Sequence, residues 1–169
     1  DTAYIGKNVC IGSDLSSPKA SNNNKVIEFQ GYNLYFETNL LWGGQYGLNL
    51  SHKSTVLGNV FVCGHDNATI VDASLTSTNL YYGISVGGAD GVSDSSKIFN
   101  NTFVRNVGTG GTAIHQTNST TVHEIKNNCV VGPFQLGIRY SLTGATESFN
   151  AVYGAVIPWA NAGGTSVGI

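Results

Sequence analysis

A four-residue signature built on asparagine recurs along the whole chain. It consists of Asn, a small or apolar residue and two further apolar residues, and its copies are spaced 20 to 27 residues apart. A repeat of this length predicts a solenoid, in which each unit forms one coil stacked on the next. The copies begin at Asn8, Asn33, Asn59, Asn79, Asn101, Asn128 and Asn150.

Each unit also contains two other short apolar runs, such as Val26–Phe29 before the signature and Leu48–Leu50 after it. No window carries the apolar stripe of a helix 10–12 residues long. The sequence therefore predicts an all-β fold, a single right-handed parallel β-helix of about seven coils with three short strands per coil. We expect one domain over residues 1–169, either a processed chain or part of a longer solenoid, since Met is absent from every position.

The repeated asparagine has a physical role in such a fold. Stacked coils lie about 4.8 Å apart, so side-chain amides at the same corner of successive coils can hydrogen-bond to one another as a ladder. Asparagine also tolerates the left-handed backbone of a sharp turn. We therefore interpret the seven asparagines as a structural ladder.

Composition narrows the possible partners. Only 11% of the residues are charged, and the eight Lys and Arg residues are scattered, which argues against a nucleic-acid surface. No apolar stretch approaches the roughly 20 residues of a membrane-spanning helix. Low charge with many hydroxyls and amides is common in secreted proteins, so we expect an extracellular or cell-surface location. Glycosylation sequons begin at Asn49, Asn67, Asn100 and Asn118.

Two stretches, Ile98-Phe-Asn-Asn-Thr-Phe-Val and Ile125-Lys-Asn-Asn-Cys-Val-Val, are the most typical parts of the repeat. They resemble the broad right-handed parallel β-helix superfamily that contains pectate lyases, other polysaccharide-active enzymes, phage tailspikes and bacterial β-helix repeat proteins. The resemblance covers nearly the whole chain and implies the fold more firmly than any activity. For lyases of this fold it implies acidic Ca²⁺ ligands and an Arg or Lys base on one sheet.

A groove of that kind has weak candidates here, because several acidic and basic residues fall in consecutive units. His115 and Arg139 occupy similar places in successive coils, where they can bind a sugar hydroxyl or carboxylate. The alternative is that all of them are solvated loop or outward strand residues. Ca²⁺ is expected only for a lyase, and no other metal motif or cofactor is predicted. The candidate catalytic residues are Asp72, Asp90, Arg105, His115 and Arg139.

Two tryptophans and three cysteines complete the candidates. Trp42 and Trp159 lie in Gly-rich segments predicted as loops, where each either stacks on a sugar or packs over the solenoid. The cysteines fall in coils at least two apart, a separation of about 10 Å, so no intrachain disulfide is predicted. They are Cys10, Cys63 and Cys129.

The pattern also favours assembly. All positions after the asparagine are largely apolar, although only alternate residues of a strand point inward. Some of the residues one position or three positions after the asparagine should then face outward, and an apolar outer strip implies a cover or a neighbour. The two sets are Val9, Leu34, Val60 and Leu80, and Ile11, Phe36, Val62 and Tyr82.

The repeat also runs close to both termini without a capping helix, which predicts solenoid ends that meet other copies. We therefore expect a non-catalytic extracellular subunit that self-associates, head-to-tail or side by side, into a fibre or surface assembly. The alternative is a fragment of a polysaccharide lyase or glycosidase, or a glycan-binding β-helix, acting on acidic polysaccharide.

Overall fold

The computed structural model describes residues 2–11, 25–31, 33–43, 46–63, 82–86, 95–105, 110–116, 123–140 and 145–160. Within these residues all regular structure is strand, in three parallel sheets. Sheet A contains β1 (Ala3–Gly6), β4 (Leu34–Glu37), β7 (Ser54–Leu57), β10 (Lys97–Phe99), β13 (His123–Lys126) and β16 (Ala145–Ser148).

Sheet B contains β2 (Val9–Ile11), β5 (Leu40–Trp42), β8 (Val60–Cys63), β11 (Thr102–Arg105), β14 (Cys129–Val131) and β17 (Ala151–Tyr153). Sheet C contains β3 (Lys25–Phe29), β6 (Tyr46–Leu50), β9 (Tyr82–Val86), β12 (Gly110–Gln116), β15 (Phe134–Arg139) and β18 (Ile157–Ala160). The chain visits the three sheets in turn, once per coil. The predicted right-handed parallel β-helix with three strands per coil is confirmed.

The described residues form six coils, whereas the sequence predicted about seven. The difference arises around Asn79, which lies outside the described residues. The signature at Asn79 predicts a separate coil that would include β9, but Tyr82 of β9 pairs with Tyr46 on one side and Thr112 on the other. Strand β9 therefore belongs to sheet C and completes the coil of β7 and β8.

Asparagine side chains form a hydrogen-bonded column at the corner between sheets A and B. In each pair of neighbouring coils the Nδ2 of one asparagine donates to the Oδ1 of the next at 2.9–3.2 Å. The backbone N–H of the same residue donates to that Oδ1 at 2.9–3.0 Å. Each of these Oδ1 atoms thus accepts hydrogen bonds from both the side-chain amide and the backbone N–H of the neighbouring asparagine, so neither donor lacks a partner at the turn. The column consists of Asn8, Asn39, Asn59, Asn101, Asn128 and Asn150.

One predicted member of the ladder is wrong. Asn33 precedes β4 of sheet A, with a left-handed φ of 58°, whereas the column precedes the strands of sheet B. The second coil contributes Asn39 instead, which is 2% exposed. The sequence Asn39-Leu-Leu-Trp also fits the signature, so two matches fall in one coil and the spacing alone selected the wrong one.

The interior is a stack of aligned apolar side chains. Phe36, Val56 and Ile98 form one such column on sheet A, and all are fully buried. On sheet B the rings of Phe61 and Phe103 stack with centroids 4.8 Å apart and planes inclined by 8°. This spacing equals the rise of one coil, so ring stacking and strand pairing reinforce each other.

Sheet C bends where two consecutive residues of each strand face the core. A Cβ on Gly83 would lie 2.5 Å from Cδ1 of the Phe103 ring, and the next residue, Ile84, is fully buried as well. Because both face inward, Tyr82 and Ser85 lie on the outer side. In the four central strands the first inward position holds a small residue, Gly47, Gly83, Ala113 or Gly137, whereas the register places Val26 in β3 and Pro158 in β18 at this position.

The three cysteines all lie on sheet B, and another strand of the sheet separates each from the next. Each is a free thiol. Cys10 and Cys63 face the interior, and burial raises the pKa of the Cys63 thiol to about 12. Cys129 faces outward and is partly exposed.

Candidate functional site

The outer face of sheet B is apolar in every coil. Its strands alternate in the usual way, with Leu41, Phe61, Phe103 and Val130 buried and their neighbours pointing outward. A strand between core and solvent ordinarily places polar residues outward, but here the outward set is almost entirely aliphatic or aromatic. We call these residues the apolar face: Val9, Ile11, Leu40, Trp42, Val60, Val62, Thr102, Val104, Cys129, Val131, Ala151 and Tyr153.

Several of these side chains are strongly exposed. The exposed fraction is 68% for Val9, 73% for Ile11, 48% for Trp42 and 78% for Tyr153. Single exposed apolar residues are normal on a protein surface, whereas a contiguous patch indicates a contact site. The prediction of an apolar outer strip is confirmed for Val9, Ile11, Val60 and Val62. It is wrong for Leu34 and Phe36, which lie on sheet A and face the core.

The apolar face is flat and narrow. Six strands at spacings of about 4.8 Å make it about 24 Å long, and two rows of side chains give it roughly 350 Å². It contains no Asp, Glu, Lys, Arg or His residue. Such a surface is suited to another flat apolar surface rather than to a charged ligand.

The outer face of sheet A provides an internal contrast. Lys126 Nζ contacts Glu124 Oε2 at 2.7 Å, and Lys97 Nζ lies 3.8 Å from Glu124 Oε1. The hydrogen bond from Lys126 holds the pKa of Glu124 below its usual range. On the same face Tyr4 donates a hydrogen bond to Glu37. The outer face of sheet A thus mixes charged side chains with Tyr35, Leu57 and Phe99, whereas the outer face of sheet B has no charged residue.

The outer face of sheet C carries a row of polar side chains in register across five coils. Glu28 pairs with Asn49, Asn49 with Ser85, Ser85 with His115, and His115 with Arg139. The Asn49 Nδ2 donates to Glu28 Oε1 at 3.3 Å. We call these five residues the polar row. It places an acid, an amide, a hydroxyl, an imidazole and a guanidinium on one line.

His115 is the most constrained member of the polar row. Its ring stacks on Tyr82 with centroids 4.6 Å apart, and only 9% of the residue is exposed. Burial, together with the positive charge of Arg139, lowers the pKa of His115 to about 4. The imidazole is therefore neutral at physiological pH. Its Nδ1 is buried and has no hydrogen-bond partner within the described part of the chain.

The structure places the predicted catalytic candidates in different parts of the molecule. His115 and Arg139 lie side by side in the polar row. Arg105 lies at the end of β11 in sheet B, is 5% exposed, and has its guanidinium carbon 6.0 Å from the centre of the Phe134 ring. It therefore does not join the polar row. Asp72 and Asp90 lie outside the described residues.

The two tryptophans also differ in position. Both were expected in loops, but Trp42 ends strand β5 and Trp159 lies in strand β18. Trp159 pairs with Ile138 and packs against the core, so it is not an exposed stacking platform. Trp159 and Tyr140 donate hydrogen bonds to Glu147, a half-buried carboxyl whose pKa is raised by burial. Their Gly and Pro neighbours led to the loop interpretation.

Sequence reasoning missed Glu28 and Ser85 at this site and named Tyr82 only as part of the apolar strip that follows the asparagines. The apolar runs of sheet C were aligned less securely than the asparagine signature. A recurring Gly-aliphatic pair precedes Asn49 and Ser85, and an Ala-Ile pair precedes His115. Aligning the units on that pair would have brought Asn49, Ser85, His115 and Arg139 into one row.

Two of the predicted sequons lie in described segments. Asn49 is in strand β6 and its side-chain amide already bonds Glu28, whereas Asn100 is exposed at a turn with φ of 57°. Asn67 and Asn118 lie outside the described residues. Of the two sequons placed here, the one at Asn100 therefore offers the freer amide for modification.

In the described segments no group of three or more His, Cys, Asp or Glu residues is arranged to hold a metal ion. No helix among the same segments is long and apolar enough to cross a membrane. Compared with protein families, curated proteins and solved structures, the chain shows no match in any of the three.

Proposed function

We propose that this chain is a non-catalytic, extracellular structural subunit whose copies associate side by side through the apolar face into a fibre or surface assembly. The observation that carries the proposal is the exposure of Val9, Ile11, Trp42 and Tyr153 on one flat face. Covering these side chains removes apolar surface from water, which is the main favourable term in protein association. The low charge of the chain and its many hydroxyl and amide side chains support the extracellular location.

The size of the face sets the expected strength of the contact. Two copies would bury roughly 700 Å² together, whereas stable interfaces bury about 1,200–2,000 Å². A single pair of copies should therefore associate weakly, and the fraction of associated protein should rise with concentration. A twofold contact through this face would join only two copies, so a fibre or layer requires further contacts outside the apolar face, which combine with it into a stable assembly.

Sedimentation velocity over a wide range of protein concentration tests the proposal. The wild type should shift to larger species as concentration rises, and Val60→Glu should stay monomeric because it places a charge within the apolar face. Thr55→Glu is the matched control, since Thr55 is a β-branched outward residue of sheet A in the same coil. A wild type that stays monomeric at every concentration contradicts the proposal, as does a Thr55→Glu effect equal to that of Val60→Glu.

A second candidate function is the binding of acidic polysaccharide along the polar row, and the register of His115 with Arg139 favours it. A guanidinium bonds carboxylates in a bidentate manner, and the neutral imidazole beside it can bond a hydroxyl. This is the function that the resemblance to polysaccharide-active β-helices implies. We regard it as separate from self-association, because the polar row and the apolar face lie on different sheets.

Affinity electrophoresis in gels containing polygalacturonate tests this second function. Wild-type protein should be retarded, and Arg139→Gln should lose most of the retardation. Lys126→Gln removes the same charge from sheet A and is the matched control. Equal losses in the two variants would indicate a net-charge effect and would contradict a specific site. Repeating the assay with Ca²⁺ and monitoring unsaturated uronate products examines the lyase alternative directly.

A further inference from the structure

The two rows of the apolar face differ consistently in side-chain size. Each strand of sheet B contributes one residue to each row. The first, or small, row consists of Val9, Leu40, Val60, Thr102, Cys129 and Ala151. The second, or large, row consists of Ile11, Trp42, Val62, Val104, Val131 and Tyr153. In every coil the residue of the large row is at least as large as its partner in the small row.

This asymmetry restricts how two apolar faces can pack. Packed sheets lie about 10 Å apart, and the side chains between them must fill that gap evenly. If the large row faced the large row of a second copy, Trp42 and Tyr153 would hold the sheets apart and leave a gap over the small row. If the large row faces the small row, a larger and a smaller side chain meet in every coil, as with Trp42 against Leu40, except in the third coil, where Val60 and Val62 are equal in size.

We infer that a second copy of this chain docks on the apolar face about a twofold axis parallel to the solenoid axis, so that each coil faces the same coil of its partner. Only this twofold brings the large row onto the small row. The other twofold, which runs along the strands, keeps like rows together and reverses the coil order. The inference rests on the proposed self-association and specifies its geometry.

A second copy fits the face better than a different partner does. The face has no charged group that would select a charged partner, and its two rows are complementary to each other. A twofold contact requires this self-complementarity, because each residue of the patch must meet another residue of the same patch. The pair formed by Trp42 and Leu40 is the largest in the contact, so it should contribute most to affinity.

Cross-linking at one end of the face tests the orientation. In a Cys129→Ser background, Ala151→Cys places a thiol on the last strand of sheet B. With the inferred axis the two introduced thiols lie at the same level, with Cβ atoms about 10 Å apart, and a short bis-maleimide should join them efficiently. With the other axis they lie about 24 Å apart along the solenoid, where coil six faces coil one. Adding Val60→Glu should abolish the cross-link.

The orientation with reversed coil order predicts a different cross-linking result. A mixture of Ala151→Cys and Val9→Cys proteins, both in the Cys129→Ser background, should cross-link to each other only if the coil order is reversed. That result, without an Ala151→Cys homodimer, would overturn the inferred axis and leave self-association intact. If none of the proteins associates at any concentration, the proposed function fails and the inference fails with it.

A swap of side chains provides an independent test. Leu40→Trp should weaken association at least tenfold, because two large residues then meet in the second coil, and Trp42→Leu should weaken it by leaving a gap. The double variant restores one large and one small residue at the contact and should recover most of the wild-type association. Losses that simply add in the double variant would overturn the inferred pairing.

Discussion

The side-chain amide of Asn59 donates a hydrogen bond to Oδ1 of Asn101 at 2.9 Å, although 42 residues separate the two positions. Neighbours elsewhere in the column are 20 to 31 residues apart. The third coil thus contains many more residues than its neighbours without interrupting the column. The entropic cost of joining two strands grows only slowly with the number of residues between them, so a coil can contain this many residues. Position in the column, rather than spacing in the sequence, therefore defines each coil.

The corrected ladder predicts different effects for two asparagines of the second coil. Asn39→Ala should lower the free energy of unfolding by about 2–4 kcal/mol, because it removes the acceptor of the Asn8 backbone N–H and Nδ2 as well as the donor to the part-buried Ile5 carbonyl and to Asn59 Oδ1. Asn33→Gly keeps the left-handed turn and should change stability by less than about 0.5 kcal/mol. Urea unfolding followed by circular dichroism measures both. Similar losses in the two variants would contradict the placement of Asn39 in the ladder.

The bend of sheet C predicts that Gly83 does not tolerate a side chain. Gly83→Ala would bring a Cβ to 2.5 Å from Phe103 Cδ1 and 2.6 Å from the Ala113 carbonyl oxygen. We expect a loss of about 2–3 kcal/mol in thermal or urea unfolding, typical of overpacked cores. Gly58→Asn is the control, since its nearest neighbour is 4.0 Å away and asparagine tolerates a φ of +64°. An unchanged Gly83→Ala protein would show that the strand does not turn this residue inward.

A buried histidine predicts loss of stability in mild acid. The backbone N–H of Ser96 donates to Nδ1 of His123 at 3.1 Å, which requires that nitrogen to be unprotonated. Burial lowers the pKa of His123 to about 4, whereas an unfolded chain has a histidine pKa of about 6.5. The unfolded state therefore binds more protons between these values. The contribution of His123, on the order of 2–3 kcal/mol, is complete above about pH 6.5 and is lost as the pH falls towards 4.

Replacing the imidazole separates this effect from general acid unfolding. His123→Gln retains an acceptor for the Ser96 N–H but does not titrate, so its unfolding free energy should fall less steeply between pH 6.5 and 4. His115, whose pKa is also lowered to about 4, contributes in the same range. The double variant His115→Gln with His123→Gln should be flatter still. If both variants have the wild-type slope, neither histidine is buried in its neutral form.

The fold could be predicted from the sequence because the ladder asparagines and the apolar strands recur in every coil. The two mistaken predictions, Asn33 as a ladder residue and a separate coil at Asn79, arose where the spacing within a coil departs from the average. Asn33 fits the signature by chance beside Asn39, and the signature at Asn79 runs directly into strand β9. The spacing of the signature along the sequence cannot distinguish additional residues within one coil from an additional coil. Strand register settles the matter, since Tyr82 pairs with both Tyr46 and Thr112.

The candidate sites were less predictable for a similar reason. His115 and Arg139 were placed together correctly in the sequence, because they follow the same Ile in successive coils. Arg105 ends a strand of sheet B, and its inward orientation depends on the alternation set by Phe103. Predicting the apolar face requires knowing at which residue each coil turns from sheet A into sheet B. An error of six residues, from Asn39 to Asn33, moved Leu34 and Phe36 onto the wrong face.

The fluorescence of Trp42 tests the central claim most directly, because this residue lies on the apolar face and is 48% exposed. In a Trp159→Phe variant, Trp42 is the only tryptophan. Its emission should shift to shorter wavelength, and its quenching by iodide should fall, in step with the rise in sedimenting mass as concentration increases. A rise in mass with unchanged Trp42 emission and quenching would contradict association through the apolar face.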